Sequence, residues 1–477
     1  MNPNLRLQTE GRQENEGADE PVSPTGQYLN SKALSICILA VIESEVPIDD
    51  SFAIPQLRDV FLPINPKFSS IMVSDKKGVR QWKKVEVNLE DHVKVPSFPK
   101  GLSTETFDDH FDEYLSRISM EPLPQDRPLW EIHIFKYPTS RAAGHCIFKL
   151  HHALGDGYSL MGALLSCVQR VDNPSLPVTF PSTRSSSEVK RKKTRDVICC
   201  LPRALSAVYR GVSDFGRSML KITCIADDKT PIRSGNEGMS LHPCKVSTIA
   251  LSLGQIKLIK AKLGTTIHDI LAGVVLLGVR LYMQGSEKKS SNSKSTALVL
   301  FNTRNVEGYK SVEEMMNKAH TKLWGNQFAF LHLAIPKLVN DKHPSPIDFI
   351  YETKKRITRL KDSPATYLTA QYLETVRKCR GPEAAAELIY KTLNKSSLGV
   401  TNLIGPVEQV ALAKHTVNGM YFIVCGGPKS LQITMMSYMG TVRIGVVVEK
   451  GFIDSHKLAS CIEDAFQLTL EAATSIQ

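Results

Sequence analysis

Apolar positions along this 477-residue chain follow two rhythms: short unbroken runs, and longer stretches in which they recur every three or four residues. The unbroken runs predict strands over 33–44, within 132–150, and over 246–253, 297–302, 326–333, 419–424, 431–438 and 441–448. The three-and-four spacing predicts helices over 108–118, 158–168, 256–263, 267–283, 346–360 and 456–473. Strands alternating with helices imply an α/β class. The most apolar stretch, 270–279, is about half the roughly 20 residues a membrane-spanning helix needs. His268, Asp269 and Arg280 bracket it, so it reads as a buried core helix.

One junction between the two rhythms carries candidate chemistry. The apolar run Cys146-Ile-Phe-Lys-Leu150 leads into His151-His152-Ala-Leu-Gly155-Asp156-Gly157, and the helix predicted at 158 follows. A histidine at the exit of a strand is held rigidly and can be aimed into a cleft. Its unperturbed pKa near 6.5 lets it accept and return a proton near neutrality. His152 is therefore the candidate general base, and His151 takes a supporting role. Asp156 sits too close in sequence to act as a second base, and is expected to turn away and pair with an arginine that locks the loop. Gly157 is expected to supply a positive φ at a sharp turn, with Gly155 adding freedom.

These residues match the HHxxxDG signature of the coenzyme A-dependent acyltransferase superfamily. Further segments, in the right order from about residue 20 to the C-terminus, narrow the resemblance to the wax ester synthase/diacylglycerol acyltransferase family in its plant-type form. Glu20-Pro-Val-Ser-Pro24 is similar to the family's opening signature, and Arg127-Pro-Leu-Trp130 to its PLW segment. Thr266-Ile-His268-Asp269 resembles T-x-N-D, with His268 in place of the usual Asn; Gly325-Asn326 resembles GN, and Thr401-Asn402-Leu-Ile-Gly-Pro406 resembles S-N-x-x-G-P. The DFGWG segment of the related BAHD acyltransferases is absent, and so is any Gly-x-Ser-x-Gly serine elbow.

The resemblance implies two similar α/β halves with mixed sheets flanking a central tunnel, as in chloramphenicol acetyltransferase, with the histidine loop midway along it. It implies transfer of a long-chain acyl group from acyl-CoA, a substrate, to a fatty alcohol or diacylglycerol, without a covalent acyl-enzyme. Other readings are an acyltransferase for a soluble alcohol and a non-catalytic acyl-CoA or lipid binder. Arg304 occupies a position where the family carries an arginine, and it either pairs with Asp156 or lies at the surface. Asn402 is either an oxyanion donor or a turn residue, and Asn326 shapes the tunnel wall or donates to the oxyanion. Asp269 is expected to cap or buttress its helix rather than take part in catalysis, and Trp130 either packs in the core or contacts the acyl chain.

Composition narrows the remaining choices. The length implies two domains, and the 42% hydrophobic content is that of a globular protein. Ten cysteines without a CxxC spacing give no support to a metal site, and they suit a reducing compartment. The chain carries a formal charge of +11, concentrated in Lys190-Arg-Lys-Lys193, Arg195 and a stretch over 197–221 whose basic residues, Arg203, Arg210, Arg217 and Lys221, share one helical face. That is the pattern of a basic amphipathic helix on an anionic membrane surface, or else of a helix covering a domain junction. No nucleic-acid motif accompanies the charge. The expected organisation is a disordered segment over 1–19, an N-terminal acyltransferase domain over 20–175, a linker with the basic helix over 176–240, and a C-terminal acyltransferase domain over 241–477. The family resemblance, in its plant-type form, implies a location on the cytosolic face of the endoplasmic reticulum membrane, with the plasma membrane as a further expected location.

Overall fold

A computed structural model describes residues 20–74, 80–179, 213–216, 218–220, 224–235, 243–287, 290, 292–304, 323–338 and 345–476. Strands β1 (Glu20–Pro21), β2 (Cys37–Ser44), β3 (Ser70–Ser74), β4 (Arg80–Lys84), β5 (Val93–Lys94), β6 (Trp130–Phe135), β7 (Gly144–His151) and β8 (Val168–Arg170) come from the first part of the chain. Strands β9 (Cys244–Ser252), β10 (Thr296–Asn302), β11 (Phe328–Ala334), β12 (Leu398–Ile404), β13 (Val410–Leu412), β14 (His415–Cys425), β15 (Leu431–Tyr438) and β16 (Thr441–Glu449) follow. The longer helices are α1 (Thr104–Met120), α2 (Gly157–Ser166), α3 (Leu253–Leu263), α4 (Ile267–Ser286), α5 (Pro346–Lys361), α6 (Ala365–Arg380), α7 (Pro382–Lys395) and α8 (Ser455–Thr474).

Two mixed sheets organise the molecule. One has seven strands in the order β5-β6-β7-β2-β14-β13-β8, the other six in the order β11-β10-β12-β15-β16-β9; β1, β4 and β3 form a small third sheet. Parallel pairing occurs between β5 and β6 in the first large sheet, and at β10–β12 and β12–β15 in the second. Every residue of β2 and of β7 is buried, which is why both read as unbroken apolar runs rather than alternating ones.

The second half of the chain lends strands to the first sheet. β14 pairs with β2 from Val417 opposite Ser44 to Cys425 opposite Cys37, and β13 pairs with β8. Sequence division at 240/241 therefore does not separate the two sheets in space. The end of the expected linker is also tied down: Asp227 accepts hydrogen bonds from Thr296 N at 2.6 Å and Ser397 N at 2.9 Å. The basic run at 190–195, most of 197–221 and the N-terminal 1–19 lie outside the described residues; of the expected basic helix, 213–216 and 218–220 are described and helical.

Each large sheet has its own apolar core, and a third cluster joins Tyr28, Leu29, Leu34 and Ile36 to Leu298 of β10 and to Ala386, Ile389 and Leu393 of α7. α4 is buried over most of its length, as expected of a core helix. Thr266 caps it in a capping box with Asp269, whose carboxylate accepts from Thr266 Oγ1 at 2.7 Å. Arg280 is fully buried within α4, and its guanidinium donates to Pro336 O and Ile335 O.

Candidate active site

The candidate base stands where the two large sheets meet. β7 ends at His151, and α2 begins at Gly157 with Asp156 as its N-cap, the Asp156 carboxylate accepting from Ser159 N at 3.1 Å. From the other sheet, Arg304 lies two residues past the end of β10, and Asn326 two residues before the start of β11. His152 is anchored through its backbone, its N–H donating to Ile36 O at 2.8 Å.

Asn326 fixes the His152 ring. Its Nδ2 donates to His152 O at 2.8 Å, and its Oδ1 lies 2.8 Å from His152 Nδ1. A carbonyl oxygen only accepts, so the amide end facing it must be the NH₂ group; Oδ1 then faces Nδ1 and requires that Nδ1 carry the proton. Nε2 is left as the basic nitrogen. Burial lowers the His152 pKa, partly opposed by the Asp156 carboxylate, so the ring is neutral at physiological pH. The edge of Phe328 packs against it, with centroids 5.3 Å apart.

His151 holds the loop and cannot act as the base. Its Nδ1 accepts from Ala153 N at 3.1 Å, leaving Nε2 to donate to Ser35 Oγ at 3.1 Å. Full burial pushes its pKa down to about 3.

Asp156 and Arg304 form the pair anticipated between them. Arg304 Nη1 donates to Asp156 Oδ2 at 2.6 Å and Nη2 to Oδ1 at 3.0 Å, both side chains being buried. Arg304 also donates to Leu323 O, Gly325 O, Asn302 Oδ1 and Ser159 Oγ, and Gln327 N donates to Asp156 Oδ2 at 2.9 Å. The pair thus clamps the histidine loop to the segment carrying Asn326. Ser159, which sequence reasoning passed over, completes the clamp by accepting from Gly325 N at 3.0 Å.

Two expectations need correction. Gly157 does not take a positive φ; it is the first residue of α2, and a side chain there would meet the Leu403 side chain at 3.1 Å. The glycine of this site that does need left-handed backbone is Gly325, at φ 115°. Asn402 turns toward His268, its Nδ2 lying 3.5 Å from His268 Nδ1, and is not among the residues lining the cavities at His152. Trp130 is fully buried in the core, its indole donating to Phe68 O at 2.8 Å.

Two cavities flank the His152–Asn326 pair and share Leu29, Phe328 and Phe330 as walls. His152 lines the narrower, of about 90 Å³, which continues past Ser119, Cys244 and the Gly426–Lys429 turn. Asn326 lines the wider, of about 660 Å³, formed between β11, α6, α7 and the helix Pro24–Leu29. The wider one is large enough for a long apolar ligand.

Two family models match this chain: the wax ester synthase/diacylglycerol acyltransferase catalytic domain over residues 54–271 and the C-terminal domain of the same family over 324–469. The chain belongs to the wax ester synthase/diacylglycerol acyltransferase family. Among its relatives, wax ester synthase/diacylglycerol acyltransferase 4 of Arabidopsis thaliana is 28% identical, with 96% of this chain and 91% of the relative covered. Number 7 from the same plant is also 28% identical, with 94% and 97% covered. Among solved structures, the wax ester synthase/diacylglycerol acyltransferase from Marinobacter aquaeolei VT8 superposes with a TM-score of 0.57 at 14% identity, covering 95% of this chain and all of that one. The first condensation domain of the CDA synthetase superposes with a TM-score of 0.56 at 14% identity, with 97% of each chain covered. The fold is thus shared by family members and condensation domains, two similar halves with mixed sheets.

Proposed function

We propose that this family member transfers a long-chain acyl group from acyl-CoA to the hydroxyl of a fatty alcohol or of diacylglycerol, with His152 Nε2 as general base. One observation carries the mechanism: the hydrogen bond from His152 Nδ1 to Asn326 Oδ1 leaves Nε2 unprotonated at a cavity with apolar walls. The family and its Arabidopsis relatives support the choice of substrates.

The acceptor hydroxyl gives its proton to Nε2 as its oxygen attacks the thioester carbonyl. The tetrahedral intermediate then expels the thiolate of coenzyme A, which takes the proton back from the imidazolium. General-base catalysis of this kind typically supplies about 10²–10⁴-fold in rate. Asn326 Oδ1 gains strength as an acceptor while the ring is positive, because hydrogen bonds to charged groups exceed neutral ones. Asp156 and Arg304 neutralise one another and position the loop, and neither handles the proton. No covalent acyl-enzyme forms, and no cofactor beyond the acyl-CoA substrate takes part. The protein works at a membrane surface, on the cytosolic face of the endoplasmic reticulum or at the plasma membrane, where both classes of acceptor reside.

Labelled palmitoyl-CoA offered to the purified protein with hexadecanol, diacylglycerol or a soluble phenol tests this reading. Label is expected in wax ester, triacylglycerol or both. Acylation of the phenol alone would overturn the lipid assignment, and no transfer to any acceptor would favour a binding role.

A further inference from the structure

The wider cavity opens beside α6. α6 walls it with Tyr367, Tyr372 and Leu373, yet along α6 Ala365 is the one residue buried among those whose side chains are described. Tyr367 is 68% exposed, an unusual position for a large ring beside a cavity. α6 is set off by Pro364 at its start and by Gly381, at φ 87°, at its end.

The surroundings of this helix are basic. Residues 354–380 hold eight Lys and Arg against two acidic residues, Asp362 and Glu374. Glu374 is taken up by Arg377 at 2.7 Å and Lys378 at 3.7 Å, and Lys355, Lys361, Lys378 and Arg380 are exposed. The described end of the stretch read as a membrane-surface helix docks at the same corner. Asp214 accepts from Arg359 Nη2 at 2.7 Å and from Ser363 Oγ at 3.3 Å, and Ser363 lines the wider cavity. Exposed Leu220 and Ile225, at 49% and 50%, lie just beyond.

We infer that α6, the end of α5 and the exposed Leu220 and Ile225 form the face by which the protein docks on an anionic membrane, setting the mouth of the wider cavity against the lipid. Basic residues flanking exposed apolar ones match such a surface, where each Lys or Arg near anionic headgroups contributes about 1 kcal/mol. The acceptor then passes from bilayer to cavity without crossing water, past Tyr367 and Leu373. This inference rests on the lipid acyltransferase reading for what passes through the mouth; the docking itself does not.

The test compares the full-length protein with the double variant Lys378→Gln/Arg380→Gln, neither residue lining the cavity. Vesicles of phosphatidylcholine, alone or with phosphatidylserine, are sedimented with each protein. Turnover is measured on diacylglycerol in those vesicles and on a short-chain alcohol dissolved in water. The substitutions are expected to lower partition onto the phosphatidylserine vesicles by about tenfold or more. Turnover on vesicle-borne diacylglycerol should fall in step, with turnover on the dissolved alcohol and the melting temperature unchanged. Unchanged partition would overturn the docking face. So would a concentration-dependent dimer that the substitutions abolish while vesicle binding persists, since a second copy would then be the occupant. Absence of turnover on either acceptor by the unsubstituted protein would instead contradict the acyltransferase reading, leaving the sedimentation to judge the docking face alone.

Discussion

Replacing Asn326 by Ala removes the group that sets the tautomer of the His152 ring, and the cost follows from its two contacts. Asn326 makes 2.8 Å hydrogen bonds to His152 Nδ1 and His152 O. With the ring neutral, the first bond is worth about 1 kcal/mol; with the ring protonated in the transition state it is worth about 1.5–3 kcal/mol. The difference, about 0.5–2 kcal/mol, is about twofold to thirtyfold in rate. Loss of tautomer control adds to it: fixing the wrong tautomer in a serine-protease triad costs about 10⁴-fold, whereas Asn326→Ala leaves the ring free to choose. A fall in kcat of about tenfold to a hundredfold is therefore expected with palmitoyl-CoA and hexadecanol at saturation. Asn326→Asp separates orientation from bulk structure: it retains an acceptor at Nδ1 and adds a charge that raises the ring's pKa, so the acid limb of its kcat profile should move to higher pH. A kcat for Asn326→Ala within twofold of the unsubstituted enzyme, at equal melting temperature, would refute this role.

Asp156→Asn leaves the Arg304 guanidinium buried without its counter-charge, and should destabilise the fold by about 3–5 kcal/mol, measured by denaturant titration; unchanged stability with lost activity would point to direct participation in chemistry. His145 and His151 are fully buried with pKa values pushed down to about 3, whereas unfolded histidine titrates near 6.5. Their neutral forms therefore favour the fold fully above the unfolded value, and that contribution is lost as the pH falls below it. Folding stability should drop by about 3 kcal/mol between about pH 7.5 and 5.5 from these two alone, and a flat profile would contradict their burial as neutral rings. Gly426→Ala places a Cβ 2.0 Å from Ser35 O at φ 86°, beside the Ile36 carbonyl that anchors His152, and should depress both melting temperature and kcat. Gly157→Ala meets only the Leu403 side chain at 3.1 Å and should change stability by less than about 1 kcal/mol; a large loss would restore the special-turn reading of that glycine.

The histidine loop was legible because three local signals coincide there: an apolar run ends, a polar cluster follows, and helical spacing resumes. That Asp156 pairs with an arginine was open to anticipation from its place in the loop, whereas Arg304 as that arginine came from the family resemblance, beside the reading of a surface arginine. Strand β15 has the same bounds as the apolar run that announced it, 431–438. Asn326 was not legible as the ring's orienter, since its partner is 174 residues away and no spacing rule reaches that far. The N-cap role of Asp156 was available from its place before an apolar periodic stretch, and was obscured by treating Gly157 as a turn. α6 and α7 escaped notice because α6 packs loosely and shows no strong apolar stripe, while Gly381-Pro382 between them reads as a break. The crossing of β13 and β14 into the first sheet depends on pairing alone, which hydropathy does not encode.

The most direct test of His152 as proton carrier is the turnover of His152→Ala, with labelled palmitoyl-CoA and hexadecanol or diacylglycerol. A loss of at least about 10²-fold in kcat, with melting temperature preserved and no labelled acyl-protein trapped on quenching, is expected. Turnover near that of the unsubstituted enzyme, or a stoichiometric acyl-enzyme in either protein, would contradict direct transfer under the control of this ring.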